Sequence, residues 1–331
     1  MKMSAVYLVP TRHGGVYEYR DVEKPAAKGM QVLVKVKAAG TNRGELLMTR
    51  DFKSANPRLK PVPSGIEFAG EIVAVGEDAT GWHVGERVMA RGIGGYAEYA
   101  VALCTMLMRI PDHMSYAEAA AIPNVFVTSH DALISNAQLA PGENVVITAA
   151  ASGIGTASIQ LARIFGANRI IGTTRDASKT QALLDVGATD VIDTSEPGLG
   201  DKVRQITGDE YGADVIIDNV GGPMFADNLD ALALGGRFVS VGRNGGRGGE
   251  LNLDELALRR AVLIGTTFRT RTPQQAFRCF EVFMDDCAAA LADGRIKGIV
   301  DKTFPHDQLH EAHKYMLADG QVGKIVLVNE Q

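Results

Sequence analysis

The stretch Val145-Val146-Ile147-Thr148-Ala149-Ala150-Ala151-Ser152-Gly153-Ile154-Gly155-Thr156-Ala157-Ser158-Ile159-Gln160-Leu161-Ala162-Arg163 decides how the chain is read. Its apolar start reads as a buried parallel strand. A turn of small residues follows, then a helix-compatible segment that stops at Gly166. Strand, turn and helix together build a phosphate site. The helix N-terminus offers N–H groups without intrahelical acceptors and a partial positive charge. Small residues let a pyrophosphate approach the backbone. Ser152, Gly153, Ile154 and Gly155 are therefore candidate cofactor ligands. The match to G-x-G-x-x-G is imperfect: with Gly155 as the third glycine, the first falls on Ala150 and the second on Ser152. An ordinary turn of an α/β protein would read the same way locally.

The next strand is expected at Arg169–Thr174. About 20 residues past such a turn, an NAD-binding protein places a carboxylate on the ribose 2′-hydroxyl. Here the strand ends in Thr173-Thr174-Arg175, with Lys179 close behind. A 2′-phosphate wants cations, so Thr174, Arg175 and Lys179 point to NADPH. Asp176 lies one residue late and is expected to cap the next helix. Solvated charges at a helix start are the competing reading of Arg175 and Lys179.

Around this turn, residues 123–264 alternate strand and helix, with strands expected at 144–148, 169–173, 189–193, 213–218, 236–241 and 261–265. Gly187 and Gly235 are expected as helix C-caps. That pattern is a doubly wound parallel sheet of Rossmann type. Residues 1–122 read instead as short strands and turns, a barrel or sandwich. Gln31–Gly40 alternates apolar and polar residues. After 265 comes a helix-rich stretch and a final strand in Gly323–Val328, which needs a sheet to join. The first region supplies it, so the expected domains are 1–122 with 265–331, and 123–264 inserted between them.

The chain of 331 residues carries a net charge of −5, with 46% hydrophobic and 22% charged residues. These are globular values. No apolar run reaches the ~18–20 residues of a membrane span, and no secretory signal is evident, so a cytoplasmic address is expected. The acidic balance argues against nucleic acid as the main partner. Cys104, Cys279 and Cys287 are widely spaced and suit buried, reduced thiols.

Further motifs resemble a known family. Asn42-Arg43-Gly44-Glu45-Leu46-Leu47, Pro63-Ser64-Gly65-Ile66-Glu67-Phe68-Ala69-Gly70-Glu71-Ile72 and Gly85-Glu86-Arg87-Val88 are similar to the GroES-like catalytic domain of medium-chain dehydrogenases/reductases. Ser152–Ala162, Asp218-Asn219-Val220-Gly221-Gly222 and Gly323-Lys324-Ile325-Val326-Leu327 resemble its zinc-free quinone oxidoreductase branch. The resemblance covers nearly the whole chain, in order. It implies a β-rich substrate domain, an inserted nucleotide domain and a cleft between them.

The family's other branch uses catalytic zinc, with a Cys near the position of Asn42 and a His in a G-H-E motif. Here that motif reads Gly65-Ile66-Glu67, and the four-cysteine lobe is absent around 90–110. One carboxylate does not make a metal site. Glu67 is expected to be a buried residue paired with a nearby cation, and no bound metal is expected.

Without metal, reduction of an electron-poor acceptor is the easier chemistry. The protein must orient the acceptor and stabilise charge growing on oxygen. Asn42 has an amide donor for that oxygen, and the resemblance puts it near the cleft; locally it also reads as a turn residue. Thr128 matches a family position near the nicotinamide, with a helix-start cap as its other reading. Phe52 lies where relatives often have Tyr, and Tyr96 is a candidate cleft residue or a packing aromatic. The resemblance sets Val220, the Gly242-Arg243 turn and the Thr266-Thr267-Phe268-Arg269 turn against the cofactor, with Phe268 also near the substrate. Arg269 and Arg271 read equally as surface charges. His130 and the His306/His310/His313 group show no catalytic partner.

The expected function is NADPH-dependent reduction of a quinone. The alternatives are an enone or alkenal C=C reductase on the same fold, and an NADPH-binding relative with a structural or RNA-binding role. Arg260–Gly265 reads as an apolar edge strand, and pairing with its own copy would close that edge in a homodimer through the nucleotide domain.

Overall fold

The computed structural model describes residues 1–54, 56 and 58–329. The chain divides into two compact units: Met1–Asn124 with Lys297–Gln331, and Val125–Ile296.

Elements are numbered along the chain. The first unit holds strands β1 (Lys2–Thr11), β2 (Gly14–Glu23) and β3 (Gln31–Gly40), helix α1 (Arg43–Asp51), β4 (Val62–Pro63), β5 (Glu67–Val75), β6 (Arg87–Arg91), β7 (Tyr99–Leu103), β8 (Leu107–Arg109) and α2 (Tyr116–Ala120). Helix α3 (Pro123–His130) begins in this unit and continues into the other. After the second unit, the chain returns as β15 (Val300–Pro305), α10 (Leu309–Leu317) and β16 (Lys324–Val328). One sheet runs β2-β1-β4, and a seven-stranded sheet runs β15-β16-β3-β5-β6-β8 with β7 also on β3.

β3 is the hub, flanked by β5, β7 and β16, all antiparallel to it. Its Val32, Val34 and Val36 are buried in the unit's core. The C-terminal strand thus joins the first region's sheet, as its lone apolar run requires. β15 is a strand the sequence hides. Its Asp301, Lys302 and Thr303 are exposed, the polar dress of an edge strand.

The second unit holds β9 (Val145–Ile147), α4 (Gly153–Ile164), β10 (Ile170–Thr174), α5 (Thr180–Val186), β11 (Asp190–Asp193), α6 (Leu199–Thr207), β12 (Ala213–Asp218), α7 (Phe225–Asp230), β13 (Leu232–Ser240), α8 (Leu253–Arg259), β14 (Val262–Gly265) and α9 (Pro273–Ala292). The six strands run in the order β11-β10-β9-β12-β13-β14, every pair parallel. This is the doubly wound order, with β9 at the switch point. β9 is fully buried, which is why it reads as a continuous apolar run.

Two expectations need correction. Gly187 caps α5 as expected, but Gly235 lies inside β13 with φ 73° and marks an irregular strand. Residues 265–296 belong with the second unit, whereas the sequence reading ended the nucleotide domain at 264. The reason is α9, which buries Phe280, Phe283 and Cys287. Phe283 meets the His130 ring edge-on, with centroids 5.7 Å apart.

Candidate active site

In a parallel sheet all carboxyl ends share one edge, and ligands of open α/β sheets bind there. The turn after β9 is built for close approach. Ser152 is the N-cap of α4, and its Oγ accepts from the Gly155 N–H at 3.1 Å. Helix geometry leaves the N–H groups of Gly153 and Ile154 without intrahelical acceptors. A Cβ on Gly155 would lie 2.4 Å from the Ala150 carbonyl oxygen, so only glycine fits where α4 packs on the strand end. Thr174 ends β10, and its Oγ1 accepts from the Asp176 N–H at 3.1 Å. Asp176 in turn caps the short helical turn Ala177–Lys179. Arg175 is exposed beyond β10, while Lys179 is buried, not a solvated helix-start charge.

Past β12, Asp218 and Asn219 are nearly inaccessible. Thr148 Oγ1 donates to Asp218 Oδ1 at 3.0 Å and accepts from the Asn219 N–H at 2.8 Å. Burial raises the Asp218 carboxyl above its ordinary value, against opposing hydrogen bonds from Val220, Thr148 and Gly221. Asn219 Oδ1 is buried with no partner among the described residues. Such an acceptor at a ligand edge is a feature the sequence reading missed. Gly242 follows β13, where a Cβ would meet the Asn219 carbonyl oxygen at 2.4 Å. Val220, Gly242 and Arg243 thus lie on adjacent turns of the same edge, with Arg243 Cα 3.0 Å from where a Gly221 Cβ would stand.

Thr266 follows β14 at this edge, and its buried hydroxyl donates to Asp131 Oδ2 at 2.8 Å. Arg271 is no surface charge: it also holds Asp131 Oδ2, at 2.6 Å, and its guanidinium lies over the Phe268 ring, 4.9 Å from the centroid. Asp131 opens a π-helical turn, Asp131–Asn136, that directly follows α3. It is silent in the sequence because its partners lie more than a hundred residues away. His130 is a core residue, 1% exposed, between Phe165 and Phe283. Its Nε2 pairs with Asp286 Oδ2 at 2.9 Å, yet burial lowers its basicity. Thr128 is half-buried within α3, not at its start.

In the first unit, Asn42 and Glu67 meet. Asn42 Nδ2 donates to Glu67 Oε1 at 2.9 Å. Lys324 Nζ donates to Glu67 Oε1 at 2.7 Å, to Asn42 Oδ1 at 2.8 Å and to the Thr41 carbonyl at 2.5 Å. The Lys324 and Glu67 side chains are 5% and 0% exposed. Glu67 is thus the buried carboxylate with a cation partner that its sequence setting suggested. Glu67 Oε2 accepts from the Asn124 N–H at 2.9 Å, in the first turn of α3, and Asn124 Nδ2 donates to Asn42 Oδ1 at 3.0 Å. Gly40 makes room for this group: a Cβ there would stand 2.8 Å from Glu67 Oε1 and 2.5 Å from the Ala120 carbonyl oxygen.

A second carboxyl, missed from sequence, adjoins it. Glu45 Oε2 accepts from the Asn42 N–H at 3.0 Å and from the Tyr96 hydroxyl at 2.7 Å. Burial pushes the Glu45 carboxyl up to about 7, against the pull of Tyr96 and Lys324. Tyr96 is completely buried, so it holds Glu45 and has no surface for substrate. Phe52 ends α1, half-buried against the core. Among the described residues no group of three or more His, Cys, Asp or Glu side chains is arranged to hold a metal ion. His313 is buried against Tyr17 with ring centroids 5.1 Å apart, and burial lowers its basicity to about 4. No helix among the described residues is long and apolar enough to cross a membrane.

Comparison with known proteins agrees with this geometry. Residues 28–112 match the alcohol dehydrogenase GroES-like domain family, and residues 153–284 match the family described as zinc-binding dehydrogenase. Quinone oxidoreductase from Homo sapiens is 31% identical over 93% of this chain and 92% of its own length. A mycobacterial protein solved with NADPH superposes with a TM-score of 0.86 at 27% identity, over 98% of this chain and 99% of that one. A structure described as an NAD-dependent alcohol dehydrogenase superposes with a TM-score of 0.87 at 27% identity, over 99% of this chain and 100% of that one. With a GroES-like domain, a doubly wound sheet and relatives along nearly its whole length, the chain belongs to the quinone oxidoreductase group of the medium-chain dehydrogenase/reductase family, NAD(P)-dependent oxidoreductases.

Proposed function

We propose that this protein is a zinc-independent, NADPH-dependent quinone reductase. The observation that carries the reading is the Lys324 ammonium seated between Glu67, Asn42 and Thr41. Zinc-using relatives are expected to place metal ligands at the positions of Asn42 and Ile66. Here Asn42 and Glu67, at this location, already serve a cation built into the chain. An alcohol gains no activation from such a site, whereas an acceptor that is already electron-poor needs only orientation and a hydrogen-bond donor.

The second unit's turns fit a dinucleotide. Ser152, Gly153, Ile154 and Gly155 would hold the pyrophosphate, and Thr174, Arg175 and Lys179 the 2′-phosphate. Val220, Gly242, Arg243, the Thr266 backbone and Phe268 would border the rest. Bound there, the dihydronicotinamide supplies the hydride. Thr128 would bond its carboxamide and fix the face presented. Phe52 would give the acceptor an apolar wall. One Asn42 N–H would donate to the acceptor oxygen as charge grows on it. The chain's exposed edge strand supports a homodimer through the second unit: β14 ends the sheet, with Val262 47% and Leu263 38% exposed. The fold and composition suit a cytoplasmic protein with small-molecule substrates.

NADPH consumption across a panel of quinones and enones, with chelator in every assay, tests the reading. Turnover of quinones that survives chelation is expected. Activity confined to enones would transfer the function to C=C reduction. Loss of activity on chelation, with one zinc per chain by elemental analysis, would overturn the metal-free mechanism. Arg175→Ala is expected to weaken NADPH by about 1.5–3 kcal/mol while leaving NADH largely unaffected; equal weakening would remove Arg175 from 2′-phosphate recognition.

A further inference from the structure

The network around Glu67 decides which way the Asn42 amide points. An amide's oxygen and nitrogen occupy nearly the same shape, so its partners set its orientation. Lys324 is a donor only, and it approaches Asn42 Oδ1 at 2.8 Å. Asn124 Nδ2 donates to the same oxygen at 3.0 Å. On the other side, Glu67 Oε1 accepts from Asn42 Nδ2 at 2.9 Å. Among the described residues the remaining Nδ2 proton has only the Gly40 carbonyl, at 3.5 Å, the outer limit of a hydrogen bond. Asn42 is half-buried, and this weakly held proton is the one a stronger acceptor would take.

The Lys324 ammonium is committed within the chain: among the described residues it donates to the Thr41 carbonyl, Asn42 Oδ1 and Glu67 Oε1, and its side chain is 5% exposed. It is the charge that lets Glu67 stay buried as an acceptor. An uncompensated buried carboxylate would be strongly destabilising. Without Lys324, Asn42 Oδ1 keeps only the Asn124 amide as a donor, a group whose own two ends can exchange, so the amide loses the one partner that can only donate. We propose that Lys324 is a positioning residue for the reduction: a tethered cation that fixes the Asn42 amide so that an N–H, not the carbonyl, faces the acceptor oxygen. This rests on the reductase reading above.

The experiment compares Lys324→Met, Glu67→Gln and the double variant. Lys324→Met is expected to melt well below wild type, because it leaves the carboxylate without its cation. The double variant removes both charges and is expected to recover most of that stability, which also covers the case in which Lys324→Met fails to fold. Its kcat with a quinone is nevertheless expected to stay about tenfold or more below wild type, with KM for NADPH unchanged, because Asn42 Oδ1 has lost its donor-only partner and keeps only the Asn124 amide. Recovery of kcat together with stability would reduce Lys324 to a structural counter-ion and overturn the proposal. A second readout needs no turnover. The Asn42 side-chain amide signals in ¹H–¹⁵N spectra, identified by their loss in Asn42→Asp, are expected to move in the double variant. If they do not move, the orientation argument fails. If they move while the wild type reduces no acceptor, the reductase reading fails and the positioning of Asn42 by Lys324 stands.

Discussion

Glu45→Gln should make the protein more stable at pH 8 and change it far less at pH 5. In the native state burial pushes the Glu45 carboxyl from 4.5 up to about 7. Between those values the folded chain holds a proton that the unfolded chain has lost, so this group's contribution falls as pH rises. It is fully present below pH 4.5 and is lost on passing pH 7. The interval is worth roughly 3 kcal/mol at 1.36 kcal/mol for each tenfold change. Gln is isosteric, and its carbonyl can accept the Tyr96 hydroxyl and the Asn42 N–H that now meet on Oε2. At pH 5 the native carboxyl is neutral and the unfolded one is only partly ionised, so the variant gains under about 1 kcal/mol. At pH 8 the variant escapes the cost of ionisation, and its melting temperature should exceed wild type by roughly 4–5 °C for a chain of 331 residues. Buried histidines slope the other way. His130, His306 and His313 have lowered basicity, so their contribution is present above their ordinary value and is lost as pH falls. They are common to both proteins and cancel in the difference. The assay is thermal or urea denaturation of both proteins from pH 5 to 8. A difference that does not change with pH, or a variant less stable at pH 8, would refute the assignment of this proton to Glu45.

Three further outcomes follow from the geometry. Tyr96→Phe removes the donor 2.7 Å from Glu45; denaturation should show a loss of about 1–3 kcal/mol, larger at pH 8 than at pH 5. Gly155→Ala puts a Cβ 2.4 Å from the Ala150 carbonyl oxygen, so the turn must shift, at a cost of about 1–3 kcal/mol, and NADPH affinity by fluorescence titration should collapse; unchanged binding would remove this turn from the cofactor site. Wild type should scatter light as a dimer at low micromolar concentration, and Val262→Lys, at an edge position 47% exposed, should scatter as a monomer; a folded variant that stays dimeric would move the interface away from β14.

What was legible in the sequence followed local physics. The Val145–Arg163 stretch shows its strand, cap and helix because each rests on neighbouring residues, and the structure returns Ser152 as the cap and Gly155 as the close contact. The pairing of Glu67 with a cation was legible as a necessity, because a buried carboxylate needs a partner. Which cation was not legible: Lys324 stands 257 positions away. The same blindness hid Asp131, whose partners Thr266 and Arg271 lie beyond the sheet's last strand. Tyr96 misled for a different reason. An aromatic beside glycines reads as a ligand wall or as packing with equal ease, and only its complete burial against Glu45 decides. β15 went unseen because edge strands are written in polar residues.

The charge balance of the first unit's cluster ties these points together. Two carboxyls, Glu45 and Glu67, share a buried region with one ammonium, Lys324. Glu67's charge is among the causes that raise Glu45, and Lys324 among those that lower it. One cation cannot neutralise both, and geometry divides the roles. Lys324 lies 2.7 Å from Glu67, while Glu45 has the Tyr96 hydroxyl and the Asn42 N–H. With the Glu45 carboxyl near 7, the cluster gains one negative charge as pH rises through that value. Asn42 stands where both carboxyls reach it, giving its backbone N–H to Glu45 and its side-chain N–H to Glu67. A proton gained or lost at Glu45 therefore changes the field at the one amide proton left for an acceptor. The donor strength of Asn42 and the stability of the unit should respond to the same titration, and Glu45→Gln should remove both responses together.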